Sequence, residues 1–261
     1  MASKKTTTHL IIPDSHAKPG ASNDRYTWLG KFCADRKPDV IVDIGDWADM
    51  ESLCPYDKGT KAFEGRRYTA DVTAARDARE KFITPINELN KKLGKGKKYS
   101  PNMVACTGNH ENRINRACQL APELDGVLQI EDLGAEEFGW KVYDFMDPVI
   151  IDGIAYAHYF PSGVMNKAIG GENPASSVVK KRFMSCTFGH THIYDGPAIR
   201  SLPTGQKIMG LNVGCFFDHY EGYAGEANKM WWRGVILKHI TGHGTYDVEM
   251  VSMERLKNLY G

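Results

Sequence analysis

The chain has 261 residues, 42% of them apolar, and carries a net charge of +1 with neutral histidines. It is too long for a minimal domain and suits one large α/β domain or two small ones with a real core. A near-zero charge gives no support for tight, non-specific coating of nucleic acid, although a local basic groove is compatible with it.

The first stretch, Met1 to Thr8, is polar and lacks the apolar run of a signal peptide. No window approaches ~18 uninterrupted apolar residues, so no membrane span is expected. The six cysteines form no CxxC pair and no regular framework, which fits a reducing compartment. The expectation is a soluble cytoplasmic protein organised as a single domain over residues 1–261.

His9 to Ile12 is a short β-branched run that stops at Pro13-Asp14. Ser22 or Asn23 can cap a following helix with Trp28, Leu29, Phe32 and Cys33 on one face. Val40 to Ile44 reads as a second strand, interrupted only by Asp43 and ending at Gly45-Asp46. The segment from Leu53 to Arg67, with Pro55, Gly59 and Gly65, reads as an insertion loop over the site. Residues 69–93 form a long helical pattern in which Ala75, Ala78, Phe82, Ile86, Leu89 and Leu93 recur at three or four. Pro85 is expected to kink or divide it. The lysine-rich run Lys91 to Lys98 is placed in the loop before a third strand, 102–106, which ends at Thr107-Gly108-Asn109.

The second half is richer in strands. Val149 to Tyr159 suggests a hairpin turning at Asp152-Gly153, and Phe183 to Phe188 a strand ending at Gly189-His190. Ala198 to Val213 and Gly234 to Val251 read as further hairpins in a β-rich part, 196–255, the last turning near Thr241 to Gly244. Strand-helix-strand order first and β-rich order later points to two packed sheets with helices outside.

Four short motifs fall just after strand ends, where open α/β sheets place ligands. They are Asp14-Ser15-His16, Gly45-Asp46-Trp47-Ala48-Asp49, Gly108-Asn109-His110-Glu111 and Gly189-His190-Thr191-His192. His158 sits between the last two, at the end of an apolar strand. Any one of these histidines alone reads as a hydrogen-bonded core or surface residue. Together the motifs supply carboxylate, amide oxygen and imidazole, a mixed set suited to Mn, Fe, Ni or Zn. Thiolates are missing from it, which argues against a structural zinc site. His9, His219, His239 and His243 have no such neighbours and are left as structural or exposed.

The ordered pattern DxH, GDxxD, GNHE, a separate His and GHTH resembles the calcineurin-like metallophosphoesterase superfamily, over roughly residues 9–215. The size, the lack of targeting signals and the form GNHENR look like its stand-alone bacterial and phage members. The resemblance implies a four-layer α/β/β/α sandwich, two mixed β-sheets flanked by helices, with two divalent metal ions at the strand ends. Mn is the foremost candidate, with Fe, Ni, Zn or Mg as alternatives. It implies that Asp14, His16 and His192 hold the first metal, that Asn109, His158 and His190 hold the second, and that Asp46 bridges them. His158 rests on position alone, with His219 as fallback. It implies that His110 serves catalysis without binding metal, by protonating the leaving oxygen or stabilising transition-state charge, and that Asp49 orients it; Asp49 as a helix or turn cap stays open. A bridging hydroxide would attack phosphorus in line. Arg113, and Asn109 beside it, are candidate substrate contacts, against a solvated helix face for Arg113; Arg116 shares that face if a helix starts here. Arg66 and Arg67 are weaker candidates.

The sequence departs from the protein-phosphatase branch of that superfamily, where Arg-Gly follows GDxxD; here Met50-Glu51 follows. After Val213 too few residues remain for the DNA-capping domain of the repair nucleases. The aromatic segment with Phe216, Phe217, Tyr220, Tyr223, Trp231 and Trp232 could stack a base, or form a surface flap or core edge. The expected function is a phosphodiesterase on nucleic acid or a nucleotide, without a membrane partner. The alternatives are a phosphomonoesterase on a small or protein substrate and a non-catalytic scaffold.

Overall fold

The computed structural model describes residues 6–261, the side chain of Tyr223 excepted. The first five residues of the polar N-terminal stretch therefore lie outside the described residues. In chain order the first half holds β1 (Thr8–Ile12), α1 (Asp24–Arg36), β2 (Val40–Asp43), α2 (Tyr68–Lys92), β3 (Asn102–Cys106), α3 (Asn112–Leu120) and β4 (Lys141–Tyr143). The second half holds β5 (Val149–Ile151), β6 (Ile154–Tyr156), β7 (Pro161–Ser162), β8 (Lys167–Ala168), α4 (Pro174–Arg182) and β9 (Ser185–Phe188). It ends with β10 (Tyr194–Ser201), β11 (Lys207–Val213), β12 (Gly234–Gly242), β13 (Thr245–Ser252) and α5 (Met253–Tyr260).

Two mixed sheets result. One has the order β13-β12-β1-β2-β3-β4, parallel from β1 to β4 and antiparallel at β12 and β13. The other has the order β10-β11-β9-β6-β5, parallel only at its centre. Side-chain alternation in the first sheet separates two cores. Leu10, Ile12, Ile41, Ala105, Val235 and Leu237 face the helices and meet Leu29, Phe32, Phe82 and Leu256. Ile11, Val42, Val104 and Ile236 face the second sheet and meet Ile154, Tyr156, Met209 and Leu211. A third core joins the far face of that sheet, through Ala155, Cys186, Phe188 and Ile208, to Val178 and Val179 of α4. Three cores between four layers make this an α/β/β/α sandwich, as expected.

Several local expectations are corrected. Pro85 does not divide the long helix, which runs unbroken from Tyr68 to Lys92. Its ring removes the bond to the Lys81 carbonyl, yet α1 packs along this stretch closely enough that a β-carbon on Gly30 would overlap the Phe82 carbonyl. Packing of the two helices outweighs one lost hydrogen bond. The lysine run starts inside the helix, with Lys91 and Lys92 in the last turn of α2, where cations favour the helix dipole. The strand expected from Phe183 begins at Ser185; Phe183 itself caps α4 in the left-handed conformation. The hairpin expected from Ala198 begins earlier, at Tyr194. Helices α4 and α5 and the short strand β4 were not anticipated. The Asp152-Gly153 hairpin turn is present, with both residues at positive φ. All six cysteines are free. Among the described residues no helix is long and apolar enough to cross a membrane.

Candidate metal centre

The parallel strands end together, and the chain continues past those ends in paired loops. Backbone N–H groups of Ser15 and His16 donate to the Asp46 carbonyl at 3.1 and 2.9 Å, and Ala17 donates to the Trp47 carbonyl. Gly189 donates to the carbonyl of His158 at 2.9 Å. Thus the segments after β1, β2, β3, β6 and β9 converge on one point between the two sheets.

Four groups of side chains there could each hold a metal ion, with donor atoms in each within 4.8 Å of one another: Asp14, His16 and His192; Asp46, His158 and His190; His16, Asp49 and His110; and Asp49, His219 and Glu221. The first two contain the expected donors. Asp46 touches both groups. Its Oδ2 lies 3.2 Å from His158 Nε2 and 3.8 Å from His16 Nε2. Asn109 Oδ1 is 2.8 Å from His158 Nε2, and His190 Nδ1 is 3.2 Å from it. Three acceptor-type atoms thus converge on one ring nitrogen, which can donate a single proton; a cation answers all four donors at once. Asp14 Oδ1 and His16 Nε2 are buried without any hydrogen-bond partner, a cost removed when such atoms bind a cation. The donor set therefore fits divalent metal. His219, the fallback for His158, lies away from that ring, with Asp49 and Glu221: it stacks on Phe217 at 4.6 Å, with Nε2 2.7 Å from Glu221.

Charge in the cluster follows from the buried carboxylates. Burial opposes protonation of His158, but Asp46 and Asp14 outweigh it and raise its pKa to about 9. Burial and the positive charge of His158 push His190 down to about 4, against Asp46 and Asp14. Burial would raise Asp46, yet His158 and His110 hold it well below the usual carboxylate range. The carboxylates thus demand positive charge at the place where the donors converge.

Close approach and unusual backbone make this possible. His16, Asp46, His190 and His192 all have left-handed φ, at 44°, 56°, 71° and 61°. Such residues cost roughly 1–2 kcal/mol each and concentrate at functional sites. The glycines before the ligands leave room for carboxylates. A β-carbon on Gly108 would overlap Asp46 Oδ1, and one on Gly189 would overlap Asp14 Oδ1. Asp14 Oδ2 meanwhile accepts the His190 N–H at 2.8 Å, and Asp46 Oδ1 accepts the His110 N–H at 2.9 Å.

His110 stands outside the first two groups but lies with His16 and Asp49 in a third that could hold an ion. Its Nδ1 meets the Asp49 carboxylate at 2.7 Å and the Asp49 carbonyl at 2.8 Å. Its Nε2 faces the cleft, 3.8 Å from Asp46 Oδ2. Burial disfavours the imidazolium, but Asp46 and Asp49 outweigh burial and raise the pKa. Asp49 also lies 3.4 Å from His16 Nδ1. It therefore fixes two rings, and the cap reading of Asp49 is not needed. Arg113, on α3, donates to the carbonyls of Asp49 and Met50 at 2.8 and 3.2 Å, and its Nη2 is 3.1 Å from His110 Nε2. It braces the catalytic candidate as well as lining the cleft.

Sequence reasoning gave no role to the residues that support this cluster. Glu111 accepts the N–H groups of Asp46, Ala48 and Gly108 at 3.0, 2.8 and 2.9 Å, tying two ligand loops together. Burial and the charge of Asp46 push its carboxyl up to about 7, against those three donors. Buried Arg25 donates to the carbonyls of Ser15 and Phe216 at 2.6 and 3.0 Å. Arg79 pairs with Asp43 at 2.7 Å and lies over Trp47, while Asp43 accepts the Gly45 N–H. Lys18 spans the cleft rim, 2.7 Å from Glu221 and 3.3 Å from Glu51. Only Glu111 carried a signal, as the last letter of GNHE.

The aromatic segment divides. Phe216 is in the helix-side core. Phe217 packs edge-on to His16 at 5.0 Å, and Trp231 edge-on to His192 at 4.6 Å, so both wall the ligands. Trp232 packs on Tyr194. Tyr220 is exposed at the cleft, and the Tyr223 side chain lies outside the described residues. The cleft above the cluster has a volume of about 870 Å³ and is bordered by Cys54, Tyr56, Asp57 and Arg66 of the 53–67 insertion. Arg66 is committed to Asp57 at 2.6 Å, and Arg67 points to solvent. No family model matches the chain, and no curated protein matches it.

Proposed function

We propose that the chain is a dinuclear-metal phosphoester hydrolase of the calcineurin-like metallophosphoesterase superfamily, cleaving a phosphodiester in nucleic acid or a nucleotide. The observation that carries this reading is the placement of Asp46 between two separate His/Asp groups, within 3.8 Å of an imidazole of each. A carboxylate with two charged oxygens is the side chain that can serve two cations. Asp14, His16 and His192 would hold one ion, and Asn109, His158 and His190 the other. Bound there, two divalent cations such as manganese supply Lewis acidity toward phosphoryl oxygens and an acidified water.

The chain's own groups account for the rest. Asp49 holds Nδ1 of His110, which leaves Nε2 to donate toward an oxygen in the cleft. Arg113 Nη2 lies 3.1 Å from that same Nε2, and a guanidinium can only donate, so Nε2 accepts from Arg113 until a substrate oxygen comes between them. A leaving oxygen placed there would take the Arg113 N–H and a proton from the imidazolium form of His110, which either protonates it or stabilises its charge. A diester is favoured over a monoester because space continues on both sides of Asn109 and His190, into two separate cavities. A diester must exit the site in two directions.

The test is a parallel assay of Mn-loaded protein on bis-p-nitrophenyl phosphate, p-nitrophenyl phosphate, and single- and double-stranded DNA, with bound metal measured on the same samples. Diester turnover exceeding monoester turnover supports the proposal. Preference for the monoester moves the assignment to a phosphatase. Two bound metals with no hydrolysis of any substrate move it to a scaffold.

A further inference from the structure

The two cavities that meet at the cluster differ in charge. The larger is rimmed by Glu51, Asp57 and Glu221. Its basic residues Lys18 and Arg66 are already paired with those carboxylates. The smaller, about 330 Å³, shares Tyr56, Asn109, Arg113 and His190 with the first and extends away beneath the β7–β8 hairpin. Among the described residues no aspartate or glutamate lines it, while Arg113, Arg116 and Lys167 do. Arg116 follows Arg113 by one turn of α3 and shares its face. Lys167 comes from β8, across the groove. Neither Arg116 nor Lys167 has an ion-pair partner among the described residues, so their charge is available to an anion.

Apolar and aromatic surface lines the same groove as these cations. Tyr56 is 84% exposed at the junction of the cavities, and Met165 at the hairpin tip is 76% exposed. Tyr159, the residue after His158, lines the groove with its ring 4.9 Å from that of His190. A single strand presents the matching pair of features, phosphates and unstacked bases, whereas a polyphosphate chain offers nothing to the rings.

We propose that this second groove binds single-stranded polynucleotide, with Arg116 and Lys167 taking the phosphate next to the scissile one and Tyr56 and Met165 contacting its base. The inference rests on the hydrolase reading for the term scissile, but the groove's binding is measurable without turnover. Exposed ring and thioether surface can engage an unstacked base and has no counterpart in the outside of a duplex.

The experiment measures binding of a short fluorescent phosphorothioate oligothymidylate to the metal-loaded protein by anisotropy, across a salt series. The double variant Arg116→Ala/Lys167→Ala is expected to bind roughly tenfold more weakly at low salt. Its plot of log affinity against log salt should be shallower by about 0.7, the value for the one phosphate that the pair holds. Tyr56→Ala, fully on the surface, should weaken binding by roughly tenfold with an unchanged salt slope. Turnover of bis-p-nitrophenyl phosphate, which carries no second phosphate, should be unaltered in the double variant. Unchanged affinity and slope in the double variant overturn the groove assignment, and leave the hydrolase standing if bis-p-nitrophenyl phosphate is still cleaved. Loss of affinity in a protein that cleaves nothing supports the groove while removing the hydrolase. Duplex bound more tightly than single strand, or a nucleoside triphosphate competing as well as the oligonucleotide, overturns the choice of ligand.

Discussion

The substitution Gly189→Ala adds one methyl group and changes no proposed ligand, yet it should dismantle half of the metal centre. A β-carbon on Gly189 overlaps Asp14 Oδ1, and it sits 3.1 Å from both Asp14 Cγ and Ile44 Cγ2. Neither neighbour can give way, because Asp14 and Ile44 are wholly buried. The glycine has no positive φ, so alanine brings no backbone strain and the effect is purely steric. Asp14 must turn, breaking its 2.8 Å bond from the His190 N–H and its 3.2 Å contact with His192. Overpacking costs about 1–3 kcal/mol, and an orphaned buried N–H about as much again. A total near 3 kcal/mol lowers Tm by ~6–12 °C for a chain of this size. Metal affinity should suffer more. Loss of a supporting partner alone costs about 10–100-fold, so a displaced ligand should weaken the Asp14 group by at least about 100-fold. Calorimetric titration with Mn²⁺ and elemental analysis read this directly, with circular dichroism to establish that the variant is folded. Gly94→Ala, which meets nothing within 4 Å, serves as the control and should be silent in both assays. A folded Gly189→Ala protein with unchanged metal content and affinity would refute the reasoning, because Asp14 would then not be a ligand.

Three further outcomes follow from other parts of the molecule. His110→Ala should retain metal and lose about 10²–10⁴-fold in kcat on bis-p-nitrophenyl phosphate; metal retained with turnover intact removes the role given to His110. Burial, opposed by Asp152, lowers the pKa of His9 to about 4 from 6.5. Because the folded value is depressed, the stabilising effect is complete above pH 6.5 and fades as pH falls toward 4, by about 3 kcal/mol in all. Denaturant melts of His9→Gln should show a correspondingly flatter acid limb, and an unchanged limb would mean that other groups govern it. Lys238 is fully buried, bonded to Thr187 Oγ1 and set 3.8 Å from the Tyr246 ring, with no carboxylate partner among the described residues. Burial forces its pKa well below the usual range, so Lys238→Met should raise stability by about 1–3 kcal/mol at neutral pH; a lower denaturation midpoint would show that the lysine is a net stabiliser.

The strands of this fold were legible because each carries its own punctuation. Val40–Asp43 ends at Gly45, Ser185–Phe188 ends at Gly189, and Val149–Tyr156 turns at Asp152-Gly153. The elements that escaped notice lack such local evidence. α4 offers Asn173-Pro174 as a start, a good helix signal. Its interior, Ser176-Ser177-Val178-Val179, has the composition of a loop or strand. Burial of Pro174, Ala175, Val178 and Val179 against the second sheet decides the matter, and that sheet does not exist until residues 150–213 have paired. β4 is three residues long and is defined only by its register with Val104 to Cys106. The division that Pro85 could have caused is absent for the same reason in reverse: a local rule was outweighed by the packing of α1.

The site divides along the same line. Metal-binding chemistry requires particular residue types at adjacent positions, so the donors announce themselves as short motifs. What holds them does not. Arg79 reaches Asp43 across 36 residues, and Lys18 reaches Glu221 across 203; no window contains either pair. Asp49 makes the point most sharply. In the sequence it was equally a cap or an orienting carboxylate, since three residues after Asp46 suits both. Its partners, His16 at 33 residues and His110 at 61, settle the question. They meet because β1, β2 and β3 are adjacent and parallel, which brings the loops after all three strands to one edge. The motifs thus specify which atoms are available, and the strand order specifies which of them meet. Moving β2 out of its place between β1 and β3 would leave every motif intact and separate Asp49 from one or both of its histidines.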